Sequence, residues 1–348
     1  MVRRDGAVGV LIVDDSAVVR GMIARGLRDD PDVQVLGAAG DGAAALRLLD
    51  ELAPDVVLLD VEMPVLDGLQ ALPKLLARRP DLAVIMASSL TRRHAAMSLR
   101  ALEMGAADYA PKPDAAGGGA AIAAFFDELK AKIKAHGRRK RAAATAPAPH
   151  AAFPRLRPQA VAIGCSTGGP AALLQIFRRA KGAVRTPVFV TQHMPATFTA
   201  MLAAQLGEAA GAEAVEAAHE TPVRPGCLYV APGGKHMIAA RRGGGVVLLL
   251  SDGPPEHFCK PAVDPMLRSL AQAYGAGLLA AVLTGMGRDG ADGCLAVAQA
   301  GGRFFVRDEA TSAVWGMPGA AFRTGRAMGQ LPLGAAADYL AAAMRGDA

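Results

Sequence analysis

The sequence predicts an α/β protein of two doubly wound parallel-sheet domains, the second carrying an inserted β-hairpin. Short apolar runs alternate with amphipathic segments, a basic Ala- and Pro-rich stretch interrupts that alternation once, and carboxylate, hydroxyl and histidine residues recur directly after the apolar runs. At 348 residues the chain also exceeds one core of ordinary size.

The first domain is expected over residues 1–136. Its strand candidates are VGVLIVDDS, VQVLGAA, PDVVLLDVEMP, LAVIMASS and ADYAPKP, closed by a helix over AAIAAFFDELKAKIKAHG. The segment RRKRAAATAPAPHAAFPRLRP that follows has no hydrophobic period, so residues 137–157 read as a linker. The second domain, residues 158–348, has its apolar runs in QAVAIGCS, TPVFVTQHMP, CLYVAPGGKHM, GLLAAVLTGMG and GRFFVRDEA. Within it RRGGGVVLLLSDG, centred on glycines, predicts the hairpin.

Composition narrows the function classes. Hydrophobic residues make up 52% and charged residues 20%, which describes a folded chain. No apolar run reaches the roughly 18 residues of a membrane helix, and MVRRDG leads into a strand-like run, so a cytoplasmic protein without membrane insertion is expected. The cysteines, Cys165, Cys227, Cys259 and Cys294, form no CxxC pair, which argues against a disulfide framework or a zinc ribbon. His257 and Cys259 form one local HxC pair where zinc needs more ligands. The net charge of +6 is concentrated in residues 130–157, which hold nine Lys and Arg and no acid, and the remainder is slightly acidic. That stretch lacks interleaved aromatics and no helix-turn-helix follows, so it reads as a solvated tether and no nucleic-acid partner is expected.

The ends of the first domain's apolar runs carry its chemistry. Asp14 and Asp15 follow the first run and Asp60 the third, so a parallel sheet brings three carboxylates to its ligand crevice. A hard cation such as Mg²⁺ relieves their repulsion. Ser88 ends the fourth run and Lys112 follows the fifth, placing a hydroxyl and an ammonium on the same rim, a set suited to holding a phosphoryl group on Asp60. The plainer alternative makes Asp14 and Asp15 helix caps and Lys112 a solvated charge.

Over nearly all of residues 8–136, LIVDDS, LLDVEMPVLDG, MASS and YAPKP resemble a response-regulator receiver domain. The resemblance implies that Asp60 accepts phosphate from a sensor histidine kinase, that Asp14, Asp15 and Asp60 bind Mg²⁺, and that Lys112 contacts the phosphoryl group. It also matches Ser88 and Tyr109 to the two positions that move on activation.

In the second domain Ser166 lies in IGCSTGGP, His193 in VFVTQHMP and Asp289 in AVLTGMGRDG, each after an apolar run. If those runs are parallel neighbours, a hydroxyl, an imidazole and a carboxylate meet, as acyl transfer by an activated serine requires. Each also has an ordinary reading: Ser166 as the cap of the helix starting near Pro170, His193 as a structural histidine, and Asp289 as an N-cap. The order Ser, His, Asp differs from that of an α/β-hydrolase despite the GCSTG turn. GCSTGG also lacks the spacing and lysine of a nucleotide loop.

The segments IGCSTGGP, TQHMPATFTAML, LYVAPGGKHM, VLTGMGRDGADG and RDEATSAVWGMP, spanning about residues 159–325, resemble the catalytic domain of the chemotaxis protein-glutamate methylesterase family (CheB). The resemblance implies a Rossmann-like esterase domain without a cofactor, a catalytic triad of Ser166, His193 and Asp289, and an oxyanion hole at the Met286 backbone. The implied substrate is a glutamate methyl ester on the cytoplasmic helical bundle of a chemoreceptor, with glutamine deamidation by the same chemistry. Cys165 departs from the small residue usual before the serine, and strand alternation turns its side chain away from that of Ser166. A receiver tethered to an enzyme further suggests inhibition by docking, relieved by phosphate on Asp60. A DNA-binding regulator and a non-catalytic adaptor are the competing readings, disfavoured by the missing recognition helix and by the intact triad.

Overall fold

The computed structural model describes residues 4, 6–89, 91–113, 118–142 and 153–346. The chain divides into two compact units, Met1–Ala146 and Pro147–Ala348. Residues 143–152 of the expected linker lie outside the described residues.

In the first unit β1 (Val8–Val13), β2 (Val33–Ala39), β3 (Val56–Asp60), β4 (Ala83–Ser88) and β5 (Asp108–Pro111) alternate with α1 (Ala17–Arg28), α2 (Gly42–Leu52), α3 (Gly68–Arg78), α4 (Arg92–Glu103) and α5 (Gly118–Ala142). The strands form one parallel sheet ordered β2-β1-β3-β4-β5. Every residue of β1, β3 and β4 is buried, which is why they read as continuous apolar runs without alternation. Side-chain oxygens cap four helices: Ser16 on α1, Asp41 on α2, Asp67 on α3 and Thr91 on α4. Asp14 and Asp15 are therefore not consumed as helix caps. From α5, Phe125, Leu129 and Ile133 join the core formed by β1, β3 and β4.

Gly68 opens α3 directly against the third strand. A Cβ there would lie 2.0 Å from the Asp60 carbonyl oxygen, a backbone atom that cannot swing aside. Gly68→Ala is expected to destabilise this domain by about 1–3 kcal/mol, read from the urea midpoint of the isolated receiver segment.

The second unit contains β6 (Ala160–Cys165), α6 (Gly169–Arg179), β7 (Val188–Gln192), α7 (Ala196–Ala210), β8 (Glu213–Glu216), β9 (Thr221–Pro222), β10 (Cys227–Val230), β11 (His236–Arg242) and β12 (Gly245–Ser251). It continues through α8 (Val263–Tyr274), β13 (Leu278–Val282), α9 (Ala291–Gln299), β14 (Arg303–Arg307), α10 (Gly316–Phe322), β15 (Gln330–Leu331) and α11 (Leu333–Arg345). Its parallel sheet is ordered β15-β14-β13-β6-β7-β10-β8.

The expected hairpin is β11–β12, antiparallel and joined through Gly243 and Gly244, both at positive φ, the backbone that a two-residue turn needs. The short β9 extends it into a separate three-stranded sheet. Helix α8 packs against β11, where Ser269 Oγ accepts the Ala239 N–H at 2.9 Å.

Both parallel sheets reverse their direction of growth beside their first strand. In the first unit the chain passes from β1 to β2 on one side and then to β3 on the other. In the second it passes from β6 to β7 on one side and later to β13 on the other. Loops at the carboxyl ends of β1 and β3, and of β6, β7 and β13, therefore splay apart and open a crevice at each switch point.

Candidate active site and phosphoacceptor pocket

At the first switch point Lys112 Nζ lies 2.6 Å from Asp14 Oδ2 and 2.8 Å from Asp60 Oδ1. Oxygens of Asp14, Asp15 and Asp60 all lie within 4.8 Å of one another. Burial and the neighbouring Asp14 push the Asp60 carboxyl above its ordinary range, against the pull of Lys112. Burial alone would lower the Lys112 ammonium, but the two carboxylates beside it leave it raised and therefore charged. Asp14 Oδ2 is buried and, despite the close ammonium, accepts no well-directed hydrogen bond. This residual acceptor and the exposed Asp15 beside it are what a hard, oxygen-seeking cation would use.

Ser88 and Tyr109 are both buried. Ser88 Oγ is 2.7 Å from Ser98 Oγ, so its hydroxyl is hydrogen-bonded to α4 in this conformation. The Tyr109 ring lies beneath Lys132 Nζ, 4.9 Å from its centroid, and burial pushes its phenol well above the usual range.

At the second switch point the register sets the site. Cys165 ends β6 opposite Gln192, which ends β7, so Ser166 and His193 are the next residue on adjacent strands. The His193 amide donates to the Cys165 carbonyl at 3.1 Å, and Gln192 Nε2 donates to the carbonyls of both Ser166 and His193 at 3.0 Å. On the other side the Ser166 amide donates to Thr284 O at 2.8 Å, tying the serine to the loop after β13. A Cβ on Gly285, at φ 151°, would come within 2.6 Å of Ser166 Cβ and 2.3 Å of Met317 Sδ, so this close approach needs glycine.

Asp289 is 1% exposed and reaches back from that loop. His193 Nε2 is 2.7 Å from Asp289 Oδ2. The same carboxylate accepts the amides of Val263 at 2.6 Å and Asp264 at 2.9 Å. It therefore caps α8, which has no side-chain cap of its own, while α9 has Gly290 as its N-cap and does not use it. Burial would raise Asp289, but His193 and these amides hold it below the ordinary carboxylate range. Burial would lower His193, yet above all its hydrogen bond to Asp289 pushes it up to about 9.

Ser166 does not cap α6, whose N-cap is Gly168. Among the described residues Ser166 Oγ has no hydrogen-bond partner, and none joins it to His193. The structure thus brings His193 and Asp289 into contact and seats Ser166 on the neighbouring strand end. The other nitrogen of the imidazole, Nδ1, lies 3.3 Å from Cys259 Sγ. That contact is not foreseeable from sequence, because Cys259 sits in an aperiodic loop 66 residues away.

The same loop holds His257 and the fully exposed Phe258 in left-handed backbone, φ 51° and 63°, costly for residues with a side chain. His257 Nε2 lies 3.0 Å from Asp264 Oδ2, and burial next to Asp289 pushes Asp264 up to about 6. Asp264 also accepts the Gly293 amide. The other two histidines of the region hold backbone: His236 bridges Pro254 O and the Ala262 amide, and His219 accepts the Leu250 amide. Cys165 is fully buried within the strand, and burial pushes its thiol far up. Met286 is exposed on the loop between Ser166 and Asp289, and its amide has no acceptor among the described residues.

Residues 161–340 match the CheB methylesterase family and residues 10–118 the response regulator receiver domain. The chain is 44% identical over 361 residues to the protein-glutamate methylesterase/protein-glutamine glutaminase of Azospirillum brasilense, covering 96% of this chain and 92% of that protein. It is 48% identical over 360 residues to the corresponding protein 1 of Paramagnetospirillum magneticum, covering 94% and 93%. The crystal structure of the Thermotoga maritima CheB methylesterase catalytic domain superposes with a TM-score of 0.51 at 34% identity, covering 53% of this chain and 98% of that one. The family match, the full-length relatives and the superposition agree, and the chain belongs to the CheB methylesterase family.

Proposed function

We propose that the chain is a phosphorylation-activated serine esterase that hydrolyses glutamate methyl esters on chemoreceptors, and deamidates receptor glutamines, in chemotactic adaptation. The observation that carries the reading is the His193–Asp289 pair, 2.7 Å apart, at the strand end next to the one bearing Ser166. In this reading residues 1–136 receive the phosphoryl group, residues 137–157 are the linker and residues 158–348 catalyse.

A turn of the Ser166 side chain toward Nδ1 lets His193 take its proton as the oxygen attacks the ester carbonyl. Asp289 accepts from Nε2–H throughout and stabilises the imidazolium that forms. The uncommitted Met286 amide is a donor for the oxyanion. His193 returns the proton to the departing methoxide, methanol leaves, and water, activated by the same nitrogen, cleaves the acyl-serine to glutamate. With glutamine the leaving group is ammonia.

In the receiver, Asp60 accepts the phosphoryl group from a sensor histidine kinase. Asp14, Asp15 and Asp60 would hold Mg²⁺, which offsets phosphoryl charge. Lys112, 2.8 Å from Asp60 Oδ1, would balance the remaining charge. No helix among the described residues is long and apolar enough to cross a membrane, in keeping with an enzyme that meets its receptor from solution.

The test is methanol release from membranes bearing methylated chemoreceptor. A small-molecule phosphodonor is expected to raise the rate at least about fivefold, and Asp60→Asn is expected to abolish that rise. No methanol with either protein would refute the esterase, and a rise that survives Asp60→Asn would refute the phosphoacceptor.

A further inference from the structure

The imidazole of His193 is held at both nitrogens, and only one of the two partners belongs to the proposed triad. Asp289 lies at Nε2 and Cys259 Sγ lies 3.3 Å from Nδ1. An ionised carboxylate only accepts, so in the neutral ring Nε2 carries the hydrogen and Nδ1 carries the lone pair. That lone pair is what a serine proton must reach. The thiol of Cys259 is the only hydrogen-bonding group at this nitrogen among the described residues.

We propose that Cys259 is a positioning residue for the esterase reaction: its S–H donates to His193 Nδ1, fixing the tautomer and ring plane from which that nitrogen then receives the Ser166 proton. This rests on the serine-esterase reading above. A single hydrogen bond to Asp289 leaves an imidazole free to swing about the bond axis, and a second contact at the opposite nitrogen removes that freedom. The thiol and the serine hydroxyl address the same lone pair, so the exchange between them is local.

Cys259 is itself held in place. Its amide and the Glu256 amide exchange hydrogen bonds with each other's carbonyls, and His257, within this turn, is anchored to Asp264 on α8. Thus α8 and the turn before it position both partners of the imidazole: the Val263 and Asp264 amides hold Asp289, and the 256–259 turn holds Cys259.

The titratable groups facing His193 are Asp289, from the loop after β13, and Cys259, from the loop before α8. Behind Asp289 lie Asp264 and its partner His257, with Arg268 on α8 and Asp292 on α9 at longer range. Of these, Cys259 is the one whose removal leaves the carboxylate network intact.

The experiment compares parent, Cys259→Ala and Cys259→Ser in the full chain by ¹⁵N-histidine NMR titration and by kcat/KM on a small activated ester across pH. For Cys259→Ala, which removes a donor to the neutral ring, the His193 titration and the acid limb of kcat/KM are expected to move up by about one pH unit. The Nδ1 and Nε2 signals are expected to shift toward a tautomer mixture, and kcat/KM at high pH to fall about tenfold. Cys259→Ser, which keeps a donor, is expected to restore the Nε2–H tautomer and most of kcat/KM.

A Cys259→Ala protein with the parental tautomer, titration and rate profile would overturn the proposal. So would a folded Cys259→Ser protein in the Nδ1–H tautomer, which decides the matter if the alanine variant does not fold. A parent inactive on esters would refute the esterase reading, while the NMR comparison would still report on Cys259.

Discussion

Replacing Ser166 with alanine is expected to lower esterase turnover by at least about a thousandfold while leaving the fold unchanged. The hydroxyl makes no hydrogen bond among the described residues, so its loss removes no structural contact, and alanine suits the turn between β6 and Gly168. What disappears is the proposed nucleophile. Two thiols stand nearby, and they are not equivalent as substitutes. Cys165 is sealed in the strand with its thiol pushed far up by burial, so it cannot supply a thiolate at neutral pH.

Cys259 is partly exposed and touches His193, so any activity left in Ser166→Ala that iodoacetamide removes would be assigned to it. Steady-state hydrolysis of a small ester, with circular dichroism as the folding control, makes the measurement. Turnover within tenfold of the parent and insensitive to alkylation would end Ser166's candidacy.

Asp289→Asn is expected to cost about four orders of magnitude in turnover. The carboxylate accepts from His193 and from the amides of Val263 and Asp264. An asparagine has one oxygen for these three donors, and its NH₂ group, turned toward Nε2, favours the wrong tautomer of the ring. His193 at the same time loses the strongest of the interactions that raise it to about 9. The sign follows directly: a base works when deprotonated, so the parental kcat/KM rises with pH toward about 9, and the residual activity of the variant rises at lower pH.

Stability runs the other way. A histidine raised from its unfolded value contributes fully below about pH 6.5 and loses that contribution as pH climbs through about 9. The variant is expected to lose this dependence while its remaining oxygen still accepts the Asp264 amide at the start of α8. Unchanged pH profiles in rate and in denaturation midpoint would remove Asp289 from the site.

The two parallel sheets were legible because their strands are buried on both faces. Runs such as VVLL and AVAIGC have no polar position to disguise them, and a residue that follows such a run must lie at the ligand edge. That rule alone placed Asp14, Asp60, Ser166 and His193. It could not place β8, β9 or β15, which are two to four residues long and partly exposed, so neither length nor period distinguishes them from loop.

Asp289 was legible as a residue but not in its contacts, because its amide partners begin a helix 25 and 26 positions earlier. Cys259 was weighed only as half of an HxC pair. Its role depends on left-handed backbone at His257 and Phe258, a conformation that no residue type there announces.

The capping of α8 by Asp289 has a further consequence. The charge of this buried carboxylate is balanced partly by backbone dipoles locked at the start of a twelve-residue helix, and among the described residues no lysine or arginine bonds to it. Dissolved ions screen exposed charges and scarcely reach such an arrangement. Dilute buffer and brine therefore present the reacting atoms with the same electrostatic field, and any sensitivity of this enzyme to ionic strength originates at the surfaces that meet its partners.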